Sequence, residues 1–411
     1  MRLAFLVFLF LSLTFSSKGY PWGSFYMEFF SIAAALIFCF IGKNKKIILS
    51  KFTIFLLILI ILIILSGAFV AEYKNIQTSF LGVIYIGLMF LVANESALQE
   101  EDFFFLILKI VLAASIFNFG VQLIQFFNIS IHPALSIPLE GGRPYGNIGQ
   151  PNNLGTLLST AYAINFFFYK NKKINVFIYI SISIMLIFGI ALTDSRTAFV
   201  SLLAIGFYLL ITRENRSLAC KVMPITFLTL IFIKKSISEF SVQRLDIGAG
   251  FSSLRLEMWQ LLLDAILIRP WLGYGFNQTV LAHFEVSDKH PVWWHQNIFQ
   301  SHNFIIDFIV WFGIPIGLFI SVFLLFLFFK KTIESLKNEK LQLPISLLLP
   351  LIVHSFFEYP LHYFYFILLL SVFSGRLINS KKLLPIKNLK IISIVLIAGG
   401  FKSEVQHPGF Q

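Results

Sequence analysis

Charge is what this sequence has least of. Only 13% of its 411 residues are Asp, Glu, Lys or Arg, against about 25% in a soluble globular domain. Long polar tracts are nearly absent too, which leaves no room for a separate soluble domain beside the apolar bulk. Cysteine is almost missing. Cys39 lies inside an apolar run and Cys220 in an expected cytoplasmic loop, so neither a disulfide nor redox chemistry has any support. Among the acids that fall on the expected outer face there is no Asp-x-Asp motif, which disfavours metal-dependent sugar-phosphate chemistry. The histidines show neither His-x-x-x-His nor His-Glu-x-x-His, the spacings a zinc site would use. No Gly-x-x-x-x-Gly-Lys-Ser/Thr loop is present, so no nucleotide supplies energy. No cofactor is expected.

What is there is hydrocarbon. The chain is 57% hydrophobic with 50 Phe, and its mean hydropathy is +0.83. This composition belongs to an integral membrane protein. The net charge of +12 does not indicate nucleic acid, because the Lys and Arg residues cluster at the ends of apolar runs, where they set membrane topology.

Apolar runs fall at roughly 3–16, 25–42, 50–70, 77–94, 103–127, 154–169, 174–193, 197–212, 222–233, 303–329, 341–357 and 361–375. Each approaches the ~20 residues that a helix needs to cross ~30 Å of hydrocarbon. The expected fold is therefore all-α: a polytopic helical membrane protein of about 12–13 transmembrane helices, the thirteenth being the weak run 391–400. Residues 1–400 form one membrane domain, and 401–411 a short polar tail. The N-terminal run has no convincing cleavage site after it and is read as a retained helix. With the N-terminus inside, Lys43, Lys45, Lys46 and Lys51, then Lys170, Lys172 and Lys173, then Lys330, Lys331, Lys337 and Lys340 occupy cytoplasmic connectors. The acidic connector 94–102 departs from that pattern without reversing it. This puts two loops on the outer, periplasmic face, 128–153 and the large one at 234–303 just before the helix that starts near Asn303.

The outer face gathers the chemically suggestive residues. His302 stands at the mouth of a membrane helix, where an imidazole suits general-base work near neutral pH, although a solvated loop histidine is equally compatible with the spacing. Arg143, Arg196 and Arg255 sit where chain meets membrane surface. Their guanidinium forks can bind phosphate oxygens bidentately, and singly each could instead anchor to lipid headgroups. Residues 253–268 read as a short amphipathic interfacial helix, and Gly273-Tyr274-Gly275 as a tight turn.

Taken in order, Gly146-Asn147-Ile148-Gly149-Gln150-Pro151-Asn152-Asn153-Leu154, Thr193-x-Ser195-Arg196-Thr197, Pro270-Trp271-Leu272-Gly273-x-Gly275, Ser301-His302-Asn303 and His354-x-x-x-Glu358-Tyr359-Pro360-Leu361 resemble the motifs of bacterial O-linked protein glycosylation ligases. These pilin and general O-oligosaccharyltransferases stand within the O-antigen ligase and O-antigen polymerase superfamily. The resemblance implies transfer of a glycan from an undecaprenyl-diphosphate donor to a Ser or Thr hydroxyl of a periplasmic, pilin-like protein at the inner membrane. It implies His302 as base, Arg196 and Arg255 holding the diphosphate, with Arg143 added from its place in the loop. Gln150, Asn152, Asn303 and Glu358 would position substrate, Glu358 being equally suited to a structural ion pair. Within the superfamily, a polymerase or a lipopolysaccharide ligase differs only in acceptor. A lipid-linked substrate transporter is a further alternative, disfavoured by the lack of internal repeats. Because family members commonly continue past these helices, a truncated end near residue 400 and an inactive remnant are also expectations to carry forward.

Overall fold

The computed structural model describes residues 1–15, 24–41, 46–69, 73–132, 135–136, 139, 142–240, 247–291, 297–378 and 383–385. Glu140, Gly141, Arg244, Trp293, Trp294, His295, Gln296, the weak run 391–400 and the tail 401–411 lie outside these residues. The chain is all-α. Its helices are α1 (Arg2–Thr14), α2 (Phe25–Cys39), α3 (Lys51–Phe69), α4 (Tyr73–Leu98), α5 (Glu101–Phe126), α6 (Pro151–Lys170), α7 (Val176–Thr193), α8 (Arg196–Ile211), α9 (Arg213–Phe240), α10 (Ile247–Ile268), α11 (Thr279–Val286), α12 (Phe304–Ser335), α13 (Glu339–Phe357) and α14 (Phe364–Gly375). A short antiparallel ribbon pairs β1 (Lys46–Ile48) with β2 (Leu383–Pro385), Ile47 opposite Leu384.

Each of the twelve apolar runs between residues 3 and 375 overlaps a helix, yet among the described residues only six helices are both long and apolar enough to cross a membrane: α3, α4, α5, α7, α12 and α13. Four shorter apolar helices accompany them, α1, α2, α8 and α14. The difference from twelve or thirteen has a physical cause at α6. Of its twenty residues sixteen are buried, including Asn153, Thr156, Ser159, Thr160 and Asn165. A helix surrounded by protein need not be apolar, so its composition hides its place in the bundle. The polar stretch 234–303 also differs from a plain loop, since α9, α10 and α11 fill much of it. The amphipathic helix expected at 253–268 forms all but the first six residues of α10.

Inside a bilayer, lipid tails are as apolar as Leu, so helices associate through close packing and hydrogen bonds rather than through burial from water. The bundle shows such bonds around α6. Asn165 donates to the Tyr179 carbonyl at 3.0 Å and to Ser183 Oγ at 2.9 Å, and the Tyr162 hydroxyl meets Thr226 Oγ1. Each is worth about 0.6 kcal/mol on average in membrane proteins. Outward-facing Leu57, Ile61, Phe177, Phe319 and Phe326 stay exposed, as surface meant for lipid does.

Helix α12 is broken about a third of the way along its 32 residues. At Gly313 the backbone takes φ 79° and ψ 168°, two residues before Pro315, which frees carbonyls one turn earlier. The turn after α10 satisfies them: Tyr274 N–H donates to the Val310 carbonyl at 2.9 Å, Gly275 N–H to Trp311 at 3.0 Å, and Ile314 N–H to the Pro270 carbonyl at 2.7 Å. Non-helical backbone at membrane depth is tolerated when it is covered by protein in this way. A Cβ on Gly273 would stand 2.4 Å from the Val310 oxygen, and one on Gly313 2.3 Å from that of Trp271. Only glycines permit the approach, and the approach fixes α10 against α12.

Candidate active site

Glu358 is the hub. It caps the C-terminus of α13, its backbone N–H donating to the His354 carbonyl at 2.8 Å, and its side chain is only 3% exposed. A buried carboxylate needs partners. Three converge on it: Arg255 Nη2 of α10 forms an ion pair with Oε1, Asn152 Nδ2 of the first turn of α6 donates to Oε1 at 2.8 Å, and His302 Nδ1 lies 2.7 Å from Oε2. Burial pushes the carboxyl upward, but the His302 hydrogen bond and the electrostatic attraction of His302 and Arg255 outweigh it and hold Glu358 below the ordinary carboxylate range. It is an anion at neutral pH.

His302 is held in a sparsely populated conformation. Its φ of 59° falls in the left-handed region, costly for a residue with a Cβ unless its surroundings enforce it. The neighbours on both sides do so. Before it, Ser301 N–H donates to buried Asp307 Oδ1 at 2.8 Å, while the Ser301 carbonyl accepts from Trp259 Nε1 of α10 at 2.8 Å. After it, Asn303 caps α12 by accepting from the Ile305 and Ile306 amides at 2.9 and 3.3 Å, and donates to the Phe356 carbonyl at 3.2 Å. The imidazole, 28% exposed, also meets the Tyr359 ring edge to face at 4.7 Å. Because Nδ1 addresses a carboxylate, the ring's neutral form would hold its proton there and carry its lone pair on Nε2. Nε2 makes no hydrogen bond among the described residues.

The remaining expected site residues divide. Arg143 Nη1 donates to the Asp194 carbonyl at 3.1 Å, so loop 143–149 meets the α7–α8 corner. Arg196, exposed, opens α8 at that corner, behind the Ser195 cap. Gln150 is half-buried just before α6. Among the described residues no bond joins this corner to Glu358, although α6 begins at both. Asn303 is engaged at both ends by backbone, so what it visibly does is hold His302 in place.

Sequence reasoning missed the clamp. Asp307 offered a signal, as an acid inside an apolar run is seldom there without purpose. Trp259 and Ser301 offered none, because their bond joins residues far apart in the chain. Buried His354 was quoted only as part of a motif; its Nδ1 meets Thr156 Oγ1 of α6 at 2.7 Å. Of the other histidines, His290 pairs with Asp264 at 2.9 Å. Among the described residues no three His, Cys, Asp or Glu side chains converge as a metal cage.

An O-antigen ligase family profile matches residues 181–321, a span that takes in Arg196, Arg255 and His302 and stops short of Glu358. The chain is 24% identical over 413 aligned residues to the General O-oligosaccharyltransferase of Acinetobacter baylyi, covering 92% of this chain and 71% of that protein. It is 27% identical over 405 residues to the ComP-specific O-oligosaccharyltransferase of the same organism, covering 91% and 70%. The resemblance read from the motifs therefore extends over most of the chain.

Proposed function

We infer that this polytopic glycosyltransferase, similar to O-oligosaccharyltransferases, moves an oligosaccharide from undecaprenyl diphosphate to Ser or Thr hydroxyls of periplasmic, pilin-like proteins. The observation that carries the reading is the part-exposed His302 imidazole with Glu358 behind Nδ1 and Nε2 making no hydrogen bond among the described residues. In that arrangement Nε2 accepts the proton of the acceptor hydroxyl while its oxygen attacks the anomeric carbon. The bond from that carbon to the donor phosphate breaks, and the diphosphate leaves with the electron pair. Glu358 keeps the ring oriented and stabilises the imidazolium that forms, without itself taking the proton.

Charge builds on the leaving diphosphate, so fixed cations there lower the barrier. Arg255 has five N–H donors and Glu358 takes one of them, leaving the guanidinium able to reach a phosphate as well. Arg196 and Arg143 supply further positive charge at the α7–α8 corner. Gln150 and the free oxygen of Asn152 are placed to bind sugar or acceptor hydroxyls, while Asn303 contributes by fixing the His302 turn. The site faces the periplasm, the enzyme being a multi-pass protein of the bacterial inner membrane whose partners are the lipid-linked donor, the acceptor protein and the membrane itself.

A second reading keeps the chemistry and changes the acceptor to lipopolysaccharide core or a growing polymer; the matched profile, that of an O-antigen ligase, favours it. The test supplies cells with an undecaprenyl-linked glycan and a pilin, and compares this chain with His302→Ala. A glycan-sized mass shift on pilin Ser or Thr that vanishes in the variant supports the protein ligase. Altered lipopolysaccharide with unmodified pilin supports the second reading, and no change in either overturns both.

A further inference from the structure

A cavity of about 780 Å³ lies between α3, α4, α12, α13 and α14, within the ~300–1,000 Å³ typical of sites for organic ligands. Its walls are hydrocarbon for most of their length, with Phe55, Leu59, Leu81 and Met89 among them. Its two ends differ in charge. At one end stand Glu358, Tyr359 and His362; at the other, where α3 begins and α12 ends, stand Lys51, Lys330 and Lys331. Lys331 is paired with Glu334, and among the described residues Lys51 and Lys330 carry no ion pair, so this end keeps a net positive charge.

The charge distribution decides between occupants. Arg255, Arg196 and Arg143, the groups suited to a donor diphosphate, do not line this cavity, and the wall nearest the catalytic histidine carries an acid instead. An anionic headgroup fits only the lysine end. We propose that the cavity holds a resident anionic phospholipid, its phosphate between Lys51 and Lys330 and its acyl chains lying against Phe308 and Trp311 beneath the His302 turn. Basic pockets between membrane helices are the kind of place where anionic lipids settle. The lipid fills the space behind the half of α12 that begins at Asn303, and so supports the turn that carries His302. The inference does not depend on which glycan or acceptor the enzyme uses.

The test is native mass spectrometry of the full-length protein, released from detergent after exchange into phosphatidylglycerol or phosphatidylcholine. Retention of one phosphatidylglycerol per chain, with no comparable retention of phosphatidylcholine, is the expected result. Lys51→Ala with Lys330→Ala should weaken that retention roughly fivefold for each lysine removed. If the double variant proves unstable, Leu81→Trp, which narrows the cavity without touching charge, should expel the lipid instead. Lipids extracted from the wild-type protein give a second reading independent of any variant. A polyprenyl lipid in place of phospholipid, equal retention of both headgroups, or retention unchanged in both variants overturns the proposal.

Discussion

Helix α13 carries a polar cluster at each end, and the two are built on different chemistry. At its start, fully buried Gln342 accepts from Asn215 Nδ2 at 2.9 Å and donates to Glu214 Oε2 at 2.8 Å and the Ser335 carbonyl at 3.3 Å. Tyr208 reaches the same Ser335 through its hydroxyl at 2.7 Å. This cluster ties α8, α9, α12 and α13 together, and the Gln342 amide at its centre has both its ends satisfied. At the other end Glu358 joins α6, α10 and the start of α12 just as firmly, but around a buried carboxylate, and one imidazole nitrogen makes no hydrogen bond among the described residues. A network centred on an amide that is satisfied at both ends locks helices. A charged network with one open atom locks helices and leaves a group to react.

Substitutions should separate the two clusters, first at the open atom. His302→Ala removes the proposed base, and a positioned base contributes about 10²–10⁴ in rate; glycan transfer should fall by that factor, while insertion and thermal stability, followed by melting in detergent, stay near wild type.

Glu358→Gln comes next, with transfer lowered by about 10², the lower end of the same range, because the ring loses its carboxylate but keeps its place. The variant also changes the response to pH. Since the Glu358 pKa is depressed in the fold, its carboxylate stabilises the protein above the ordinary carboxylate range, and that contribution disappears as pH drops through the depressed value. Melting temperature measured from neutral to acid pH should therefore fall more steeply for wild type than for Glu358→Gln. Equal slopes would remove Glu358 from the account.

A smaller effect is expected where a neutral group serves the charged cluster. Asn152→Ala deletes one bond to a carboxylate, worth about 1.5–3 kcal/mol, so transfer should fall by a factor of roughly ten or somewhat more, visible in initial rates. The least effect on chemistry belongs to the closed cluster. Gln342→Leu leaves Asn215 and the Ser335 carbonyl short of a partner at about 1–3 kcal/mol, lowering the melting temperature with no change in transfer per folded molecule. A rate defect there would mean that the two ends of α13 communicate.

The site was partly legible before the fold. The residues His302, Arg255, Glu358 and Asn152 stand in motifs the eye can find, yet Glu358 was ambiguous between substrate contact and ion pair. It proved to be bonded to all three of the others. Asn303, expected at the substrate, also caps α12, a role its position immediately before an apolar run already suggested. Arg196 was grouped with Arg255 by the resemblance and Arg143 by its place in the loop, and the fold puts both at a neighbouring corner.

The linear chain determined by itself what physical chemistry makes local: hydrocarbon runs that must become helices in a bilayer, lysines that orient them, and a wet stretch ending at a helix mouth. It could not reveal α6 as the central helix, because polar residues buried in protein look like residues facing water. Nor could it reveal that Gly273 and Gly313 stitch α10 into a broken α12, or that Trp259, Asp307 and Ser301 hold His302 at positive φ. Apart from the Ser301–Asp307 bond, those contacts join residues distant in the chain, and only close packing of the folded helices selects one such set from the many that the composition allows.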